Sequence, residues 1–414
     1  MMKNIVLLLG AILLNSFVAI ADSLAKIDSI EQYRRSSLYL ILLEHPGLGY
    51  DNEIKTEFLN IPFPERYNEH NLSVRSFIAR RKGDEKEAIN KLIDANSIGR
   101  RMVARWFNRE KETGAFNVEL IKERGLYDAS VLDNEIAQKS ARGTALLEDA
   151  GEELINNTFV LFCDITYVDK EKKYGLIGSV LSVAGAAVGA AGSISSSETT
   201  SAISTLVTAT GDVTQLIAGF KVKVTTYLYR LVWSKEDAGI FYQNYYYDKN
   251  NMSLDKKASF DKDQKYFKLK YVGEVSSASG KTVLKGVGDN GQLIRKVCAR
   301  ALDENIVMLQ REYDVFKIKC PIYEITGDEI HCPIGLKEGV ESSSKYEVLE
   351  RYEDEHQKVT FKRVGIIKPK ANQIWDNRFM AAEEGAVGAD LKYTTFTGAS
   401  GKDFYPGMLI REIK

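Results

Sequence analysis

His331 and Cys332 are neighbours in the chain, and a histidine beside a cysteine can serve as the base that activates a thiol nucleophile. On a β-strand, however, neighbouring side chains point to opposite faces of the sheet, which is poor geometry for such a pair. The four histidines, at positions 45, 70, 331 and 356, lack the spacing of metal ligands. We therefore predict no catalytic residues and no metal site, and we expect the protein not to be an enzyme.

Two glycine-containing motifs resemble loops that bind phosphate. Gly286 to Gly291 reads G-x-G-x-x-G, but a dinucleotide site also needs a buried parallel strand before it and an acidic residue that ends a second strand. Glu312 lies at the required separation along the chain from the glycine motif, yet it stands at the end of the predicted helix and not at the end of a strand. Ser279 to Thr282 resembles the tail of a phosphate loop, but Val275 occupies the place of its first glycine. We interpret both motifs as turns and predict no cofactor.

Two sets of residues are candidates for a ligand surface. Trp375, Asp376 and Arg378 form the most distinctive polar cluster, in which Asp376 either pairs with Arg378 at a strand end or helps to bind a ligand. We favour the ion pair. Tyr227 and Tyr229 lie in a strong strand pattern, where exposed tyrosines would suit a glycan or a protein partner, although packing within a sheet is the commoner reason for such residues.

The first twenty-one residues have the pattern of a secretory signal peptide. Lys3 precedes an uncharged apolar run that ends in Ala19-Ile20-Ala21, with small residues at the positions that signal peptidase reads. No cysteine follows, so we expect no lipid anchor. The sequence therefore predicts that residues 1–21 are removed and that the protein works in the periplasm, at the outer membrane or outside the cell.

Composition and charge exclude some classes of partner. The chain of 414 residues is 44% hydrophobic and has a formal net charge of -1, so it can bury a core and offers no basic surface for nucleic acid. Four cysteines remain after export and allow three full pairings. In a hairpin that turns at Gly327-Asp328, Cys320 and Cys332 fall on opposite faces, which argues against a disulfide unless a bulge intervenes.

Hydrophobic periodicity predicts an α+β protein. A mixed α/β domain, interrupted by a helical-hairpin excursion at 174–220, occupies residues 22–313, and a small all-β barrel-like domain follows at 314–414. Strands are predicted at 37–44, 116–124, 158–168, 221–233, 238–247 and 265–276. Helices are predicted near 85–108, 129–140, 143–156 and 291–313, and residues 46–72 read as a loop.

A seam of small residues marks the excursion. Glycines and one serine recur every three or four residues through Gly185, Gly189 and Gly192, so on a helix they share one narrow side. Leu176, Val180 and Val183 fall on the opposite side. Close helix packing of this kind is typical of membrane helices, and about twenty residues at ~1.5 Å each would just cross a bilayer core of about 30 Å. Membrane contact, subunit contact, packing on the sheet and a loop all remain open.

The order of elements resembles a group of bacterial envelope proteins. The run from Phe116 to Arg124 resembles the strand-then-Glu-Arg motif of curli-secretion-channel subunits and of the amino-terminal domain of the Tol translocation protein. The segments Tyr323 to Ile330, Gly335 to Gly339 and Pro406 to Ile410 resemble the small carboxy-terminal barrel of the flagellar assembly protein T family. This resemblance implies a non-enzymatic component that self-assembles or docks on a larger machine, with no catalytic residues to carry over.

The sequence thus leads to two hypotheses about function. The first is an exported envelope protein that serves in the assembly or secretion of a surface structure, with 175–220 contacting the membrane or other subunits, a homo-oligomer among them. Its expected partners are envelope or surface-assembly proteins. The alternative is a soluble secreted module that binds a glycan or a protein through the tyrosine face or the Trp375 cluster.

Overall fold

The structure is a computed structural model, and it describes residues 36–47, 50–64, 66–69, 72, 75–78, 85–118, 121, 154–169, 217–284, 290–353, 359–401 and 403–413. Helices and two separate sheets make it an α+β protein, as predicted. The predicted signal peptide, the helix predicted at 129–140, residues 143–153 of the helix predicted at 143–156, and most of the excursion lie outside the described residues.

The first sheet has six strands of mixed direction. They are β1 (Ser36–Glu44), β2 (Tyr67–Glu69), β3 (Ser76–Ile78), β4 (Thr158–Asp169), β5 (Ile217–Leu231) and β6 (Leu269–Leu284). β1 has β2 and β3 on one side and β4 on the other and runs parallel to all three, whereas β5 and β6 continue the sheet antiparallel beyond β4. β1 reads as a continuous apolar run because both of its faces are buried.

Helices cover both faces of this sheet. They are α1 (Asp51–Leu59), α2 (Glu85–Ala95), α3 (Ile98–Trp106), α4 (Lys235–Asn244), α5 (Leu254–Lys262) and α6 (Asn290–Glu312). One face packs on α2 to α5 around a dense group of aromatic rings, with Phe107, Phe116 and Phe241 at its centre. The other face packs on α1 and α6, and this core includes Leu161 and Leu302.

The second sheet has seven strands and curls into a half-barrel. They are β7 (Cys320–Pro321), β8 (Glu324–Thr326), β9 (Glu329–Cys332), β10 (Lys345–Glu353), β11 (Val359–Pro369), β12 (Thr394–Ser400) and β13 (Leu409–Ile413). The segment 320–326 pairs with β13 at its start and with β9 at its end, so it joins the two ends of the sheet. The small barrel-like domain predicted from the sequence is thereby confirmed.

Several predicted elements are confirmed. The predicted strands at 37–44 and 158–168 correspond to β1 and β4, the run at 221–233 lies largely in β5, and the helix at 291–313 corresponds to α6. The helix predicted near 85–108 is broken into α2 and α3, because Ser97 adopts the left-handed conformation with φ 48° between them.

Three predictions of local structure are wrong. Residues 46–72 contain α1 and β2 rather than loop alone, and residues 238–247, predicted as a strand, lie mainly in α4. The side chain of Ser234 accepts a hydrogen bond from the amide of Asp237, whose carboxylate accepts one from the amide of Ser234, and this capping box starts α4. Phe116 lies in no strand, because its amide donates to the Tyr247 carbonyl while its ring enters the aromatic core.

Candidate functional site

The far ends of β4, β5 and β6 form an extension of the first sheet that we call the arm, comprising residues 166–169, 217–221 and 279–284. The ladder between β4 and β5 continues beyond Ile165 as far as the pair Asp169 and Phe220. On the other side β5 pairs with β6 as far as Ile217 and Leu284. The arm is therefore an antiparallel ribbon built from the ends of these three strands.

The predicted contact segment is inserted at the arm. The chain leaves β4 at Asp169 and re-enters the sheet by Phe220, and these two residues are partners in adjacent strands. All of the predicted contact residues lie outside the described residues. They are Leu176, Val180 and Val183, which were predicted to face lipid or protein, and Gly185, Gly189 and Gly192 of the glycine seam. Both ends of the excursion are thus held together by strand pairing.

The predicted end of the excursion is wrong by a few residues. Ile217 and Phe220 were assigned to a helix, but residues 217–220 belong to β5 and pair with β6. Alternation of apolar and polar residues begins at Phe220 and favours a strand, and a neighbouring strand on each side stabilises it. The motif from Ser279 to Thr282, interpreted as a turn, also lies in a strand, since it supplies part of β6 in the same ladder.

The aromatic face predicted on β5 is buried. Tyr229 is 0% exposed, and its ring meets those of Phe162 and Tyr271 edge to face. Its hydroxyl donates to the Asn90 side chain of α2 at 3.0 Å. Tyr227 is 5% exposed and belongs to the same core. These two tyrosines therefore pack within the sheet, the commoner of the two reasons considered from the sequence, and the alternative of an exposed surface for a glycan is wrong for them, because their rings belong to the core beneath the helices.

Polar residues follow directly where this aromatic core ends. Asp164 lies two residues beyond Phe162 on the same face of β4, and its carboxylate accepts a hydrogen bond from the Nε2 of His45 at 2.5 Å. Thr225 is the cross-strand partner of Asp164, and its hydroxyl bonds to that of Ser276 at 2.9 Å. We call the surface formed by Asp164, Tyr227, Glu274 and Glu85 the acidic patch.

The acidic patch alters the ionisation of the tyrosine within it. Glu274 is the cross-strand partner of Tyr227, and Glu85 begins α2 beside them. Burial raises the pKa of the Tyr227 phenol, and the negative charges of Glu85, Asp164 and Glu274 raise it further. The phenol therefore stays protonated and available as a hydrogen-bond donor. Sequence reasoning missed this patch, although an aspartate within the apolar run of β4 was a signal for it.

The Trp375 cluster is held in a structural network. Arg378 donates to both carboxylate oxygens of Asp376, at 2.8 and 2.7 Å, which is the ion pair that we favoured from the sequence. Burial would raise the pKa of Asp376, but the hydrogen bonds from Arg378 outweigh it, so this pKa is lowered. The carbonyl of Trp375 accepts a hydrogen bond from Leu336, and the amide of Trp375 donates to the Thr394 hydroxyl. The pair lies in the loop between β11 and β12 rather than at a strand end.

This loop also joins the barrel-like domain to α6. Glu384 accepts from Arg300 at 2.7 Å and pairs with the largely buried Lys296, both of which lie on α6. Further along α6, Arg311 donates to both carboxylate oxygens of Glu412 on β13, at 3.1 and 3.0 Å. Hydrogen bonds from Arg311 to Glu412 and Glu341 raise the pKa of this arginine despite its partial burial. Helix α6 therefore packs on the first sheet and binds the second.

The four cysteines are free thiols. All are buried, and burial raises the pKa of Cys163, Cys298 and Cys320 each to about 12 and that of Cys332 well above its usual value. Cys320 and Cys332 lie in one core within the half-barrel, so the prediction of opposite faces is wrong. The hairpin register on which that prediction rested is correct, since Ile325 lies opposite Ile330. The chain before the hairpin changes partner, however, because Ile322 exchanges backbone hydrogen bonds with the segment just before β13.

His331 is turned away from Cys332. Its ring centre lies 4.4 Å from that of Tyr393, with the two planes tilted by 40°, and its Nδ1 hydrogen-bonds to the Thr395 hydroxyl, whereas Cys332 belongs to the core of the half-barrel. In the ranges that the structure describes, no group of three or more His, Cys, Asp or Glu residues is arranged to hold a metal ion. A search of the same ranges finds no helix that is both long and apolar enough to span a bilayer.

Comparison with known proteins does not assign the chain to a family. The sequence matches no protein-family model. A search of curated proteins likewise finds no significant match. The inference of function therefore rests on the residues themselves and on the arrangement of the arm.

Proposed function

We propose that the protein is a non-enzymatic, exported component of the cell envelope that serves in the assembly or secretion of a surface structure. In this proposal, the segment 174–216 makes the contact with the membrane or with other subunits. Its partners are envelope or surface-assembly proteins, and it forms a homo-oligomer where the partner is a second copy. The signal-peptide pattern of residues 1–21 supports export.

The observation that carries the proposal is the pairing of Asp169 with Phe220 at the two ends of the segment. The two ends of the insertion are neighbours in the ladder between β4 and β5, so these two strands pair directly with each other where the insertion leaves and rejoins the sheet. The segment carries no charge from Tyr174 to Ser197, and a long uncharged stretch that the pairing of β4 with β5 does not require needs another reason to exist. The spacing of Gly185, Gly189 and Gly192 supplies one, because small residues on one side of a helix allow close packing against another helix.

The link between the two sheets supports the same proposal. Arg311 holds β13 with two charge-assisted hydrogen bonds, and Glu384 holds the loop that contains Asp376 against α6. A small barrel-like domain fixed to an α/β domain would keep a docking surface in a constant position relative to the arm. The order of elements, which resembles envelope proteins that self-assemble or dock on larger machines, points in the same direction.

Native electrophoresis of the envelope fraction tests this proposal. In a deletion variant, a Gly-Ser-Gly-Ser linker replaces residues 174–215, which leaves β5 intact from Ile217. We expect the full-length protein, extracted in mild detergent, to migrate in a complex larger than a monomer and the deletion variant to migrate as a monomer. Migration of both proteins as folded monomers would contradict the proposal. Circular dichroism of both purified proteins controls for folding.

A further inference from the structure

Two of the four thiols come from opposite ends of the second sheet and share its core. Cys320 lies in β7, the first strand in the order of the sheet, and Cys332 ends β9, near the other end of that order. Their exposed fractions are 2% and 0%, and both belong to the core that includes Ile322 and Ile330. The curl of the sheet therefore brings the two cysteines into one interior.

The backbone shows how the two cysteines come together. The hairpin of β8 and β9 continues past its last ladder pair, since the amide of Tyr323 donates to the carbonyl of His331. One residue earlier the chain changes partner, because the amide of Ile322 donates to the segment just before β13, and Cys320 is then the ladder partner of Ile410 on that strand. The sequence argument against a disulfide assumed an uninterrupted hairpin back to Cys320, so it does not apply.

The charges in this core show that the two thiols are close to each other. Burial raises the pKa of Cys332 well above its usual value, and the negative charge of an ionised Cys320 raises it further. The positive charge of Arg66 acts on the pKa of both thiols in the opposite direction. This guanidinium reaches the core by donating to the carbonyl of Pro333, the residue after Cys332. An arginine beside two thiols favours the thiolate, which is the species that attacks a disulfide.

We infer that Cys320 and Cys332 form a disulfide as the exported chain folds, and that this bond closes the half-barrel covalently. Both are free thiols in the structure, which therefore shows the reduced form of the site. The bond ties β7 to β9 across the segment that changes partner between β13 and the hairpin. A cross-link of this kind stabilises a fold mainly by restricting the unfolded chain. The inference rests on the proposed function only for export into a compartment where disulfides persist.

The reaction needs an oxidant that itself carries a disulfide, either oxidised glutathione or a thiol–disulfide oxidoreductase of the envelope. One cysteine thiolate attacks that disulfide and expels a thiolate, and the second cysteine thiolate then attacks the mixed disulfide and expels the other. The two cysteine sulfurs are oxidised, the disulfide of the oxidant is reduced to two thiols, and these take up the two protons. Because both cysteines are buried in the folded protein, the exchange takes place before the core closes.

Thiol labelling after refolding tests the inference. The purified protein without residues 1–21 is unfolded under reducing conditions, refolded in a buffer of reduced and oxidised glutathione, and then alkylated with iodoacetamide in denaturant. We expect two of the four cysteines to escape alkylation, and an unreduced digest to contain the peptides of Cys320 and Cys332 joined to each other. Alkylation of all four cysteines, or a bond that involves Cys163 or Cys298, would overturn the inference.

Thermal unfolding with and without reductant measures the effect of the bond on stability. We expect the oxidised wild type to melt at least about 4 °C above the reduced protein. This difference should vanish in a Cys320→Ala/Cys332→Ala variant, and its persistence there would contradict the inference. A Cys163→Ala/Cys298→Ala variant is the matched control and should keep the difference. Those two thiols share the other core, where burial and a neighbouring carboxylate raise the pKa of each. The deletion variant should form the bond as the full-length protein does, so the inference and the proposed function can fail separately.

Discussion

Replacing Gly185 and Gly189 together by leucine is expected to convert an envelope-bound protein into a soluble one. Both glycines lie in the seam of small residues, and their neighbours in the seam recur every three or four positions. Two leucines would separate the helix from its partner by roughly a side chain, and close packing is what this kind of contact depends on. We expect the ratio of envelope-bound to soluble protein to fall at least about tenfold, which corresponds to a loss of about 1.4 kcal/mol in the free energy of the contact. Immunoblots of envelope and soluble fractions measure it.

Ala187→Leu is the matched control for this pair. Ala187 lies in the same segment but falls on the opposite side of the predicted helix, together with Val180 and Val183. Since that side is expected to face lipid or an apolar partner, a leucine added there should leave the fraction of protein in the envelope unchanged. Equal behaviour of the glycine variant and the alanine variant would show that the seam is not a contact.

Replacing Gly99 by alanine is expected to destabilise the α/β domain by about 3 kcal/mol or more. Gly99 lies in the first turn of α3, and a Cβ atom there would overlap the backbone carbonyl of Phe267. Phe267 is itself held in the left-handed conformation, with φ 57°, just before β6 begins. Because both contacting groups are backbone, no side-chain rotation can relieve the overlap. Urea unfolding followed by tryptophan fluorescence measures the free energy of unfolding.

Gly239→Ala is expected to have the opposite effect on the stability of the protein. Gly239 lies within α4, and a Cβ atom there would meet nothing within 4 Å. Alanine in an exposed helix is better than glycine by about 0.5–1 kcal/mol, so this variant should be slightly more stable than the wild type. If Gly99→Ala were as stable as Gly239→Ala, the close approach of α3 to the backbone of Phe267, just before β6, would be wrong.

Much of the first sheet could be predicted because its strands have strong local patterns. β1 and β4 are apolar runs, and β5 combines β-branched and aromatic residues. α4 was missed because Phe241, Tyr242 and the tyrosines that follow the helix favour a strand when they are read locally, whereas the cap formed by Ser234 and Asp237 decides the outcome. α1 was missed because the prolines on both sides of it dominated the pattern.

The candidate sites were predictable to different degrees. The Asp376 and Arg378 pair is separated by only two residues, so its ion pair could be inferred from sequence. The acidic patch joins residues from β4, β5, β6 and α2, and such a juxtaposition depends on sheet order and register. Burial of Tyr227 and Tyr229 likewise depends on which helix covers the sheet, and periodicity alone does not contain that information.

Cell fractionation with a carbonate wash tests the central claim most directly. Tagged full-length protein and the deletion variant that lacks residues 174–215 would be expressed side by side, and the washed envelope and the soluble fraction would be compared. The account predicts that the full-length protein stays with the washed envelope and that the deletion variant becomes soluble while remaining folded. Free solubility of both proteins would contradict the account, and the alternative of a soluble secreted binding module would then be favoured.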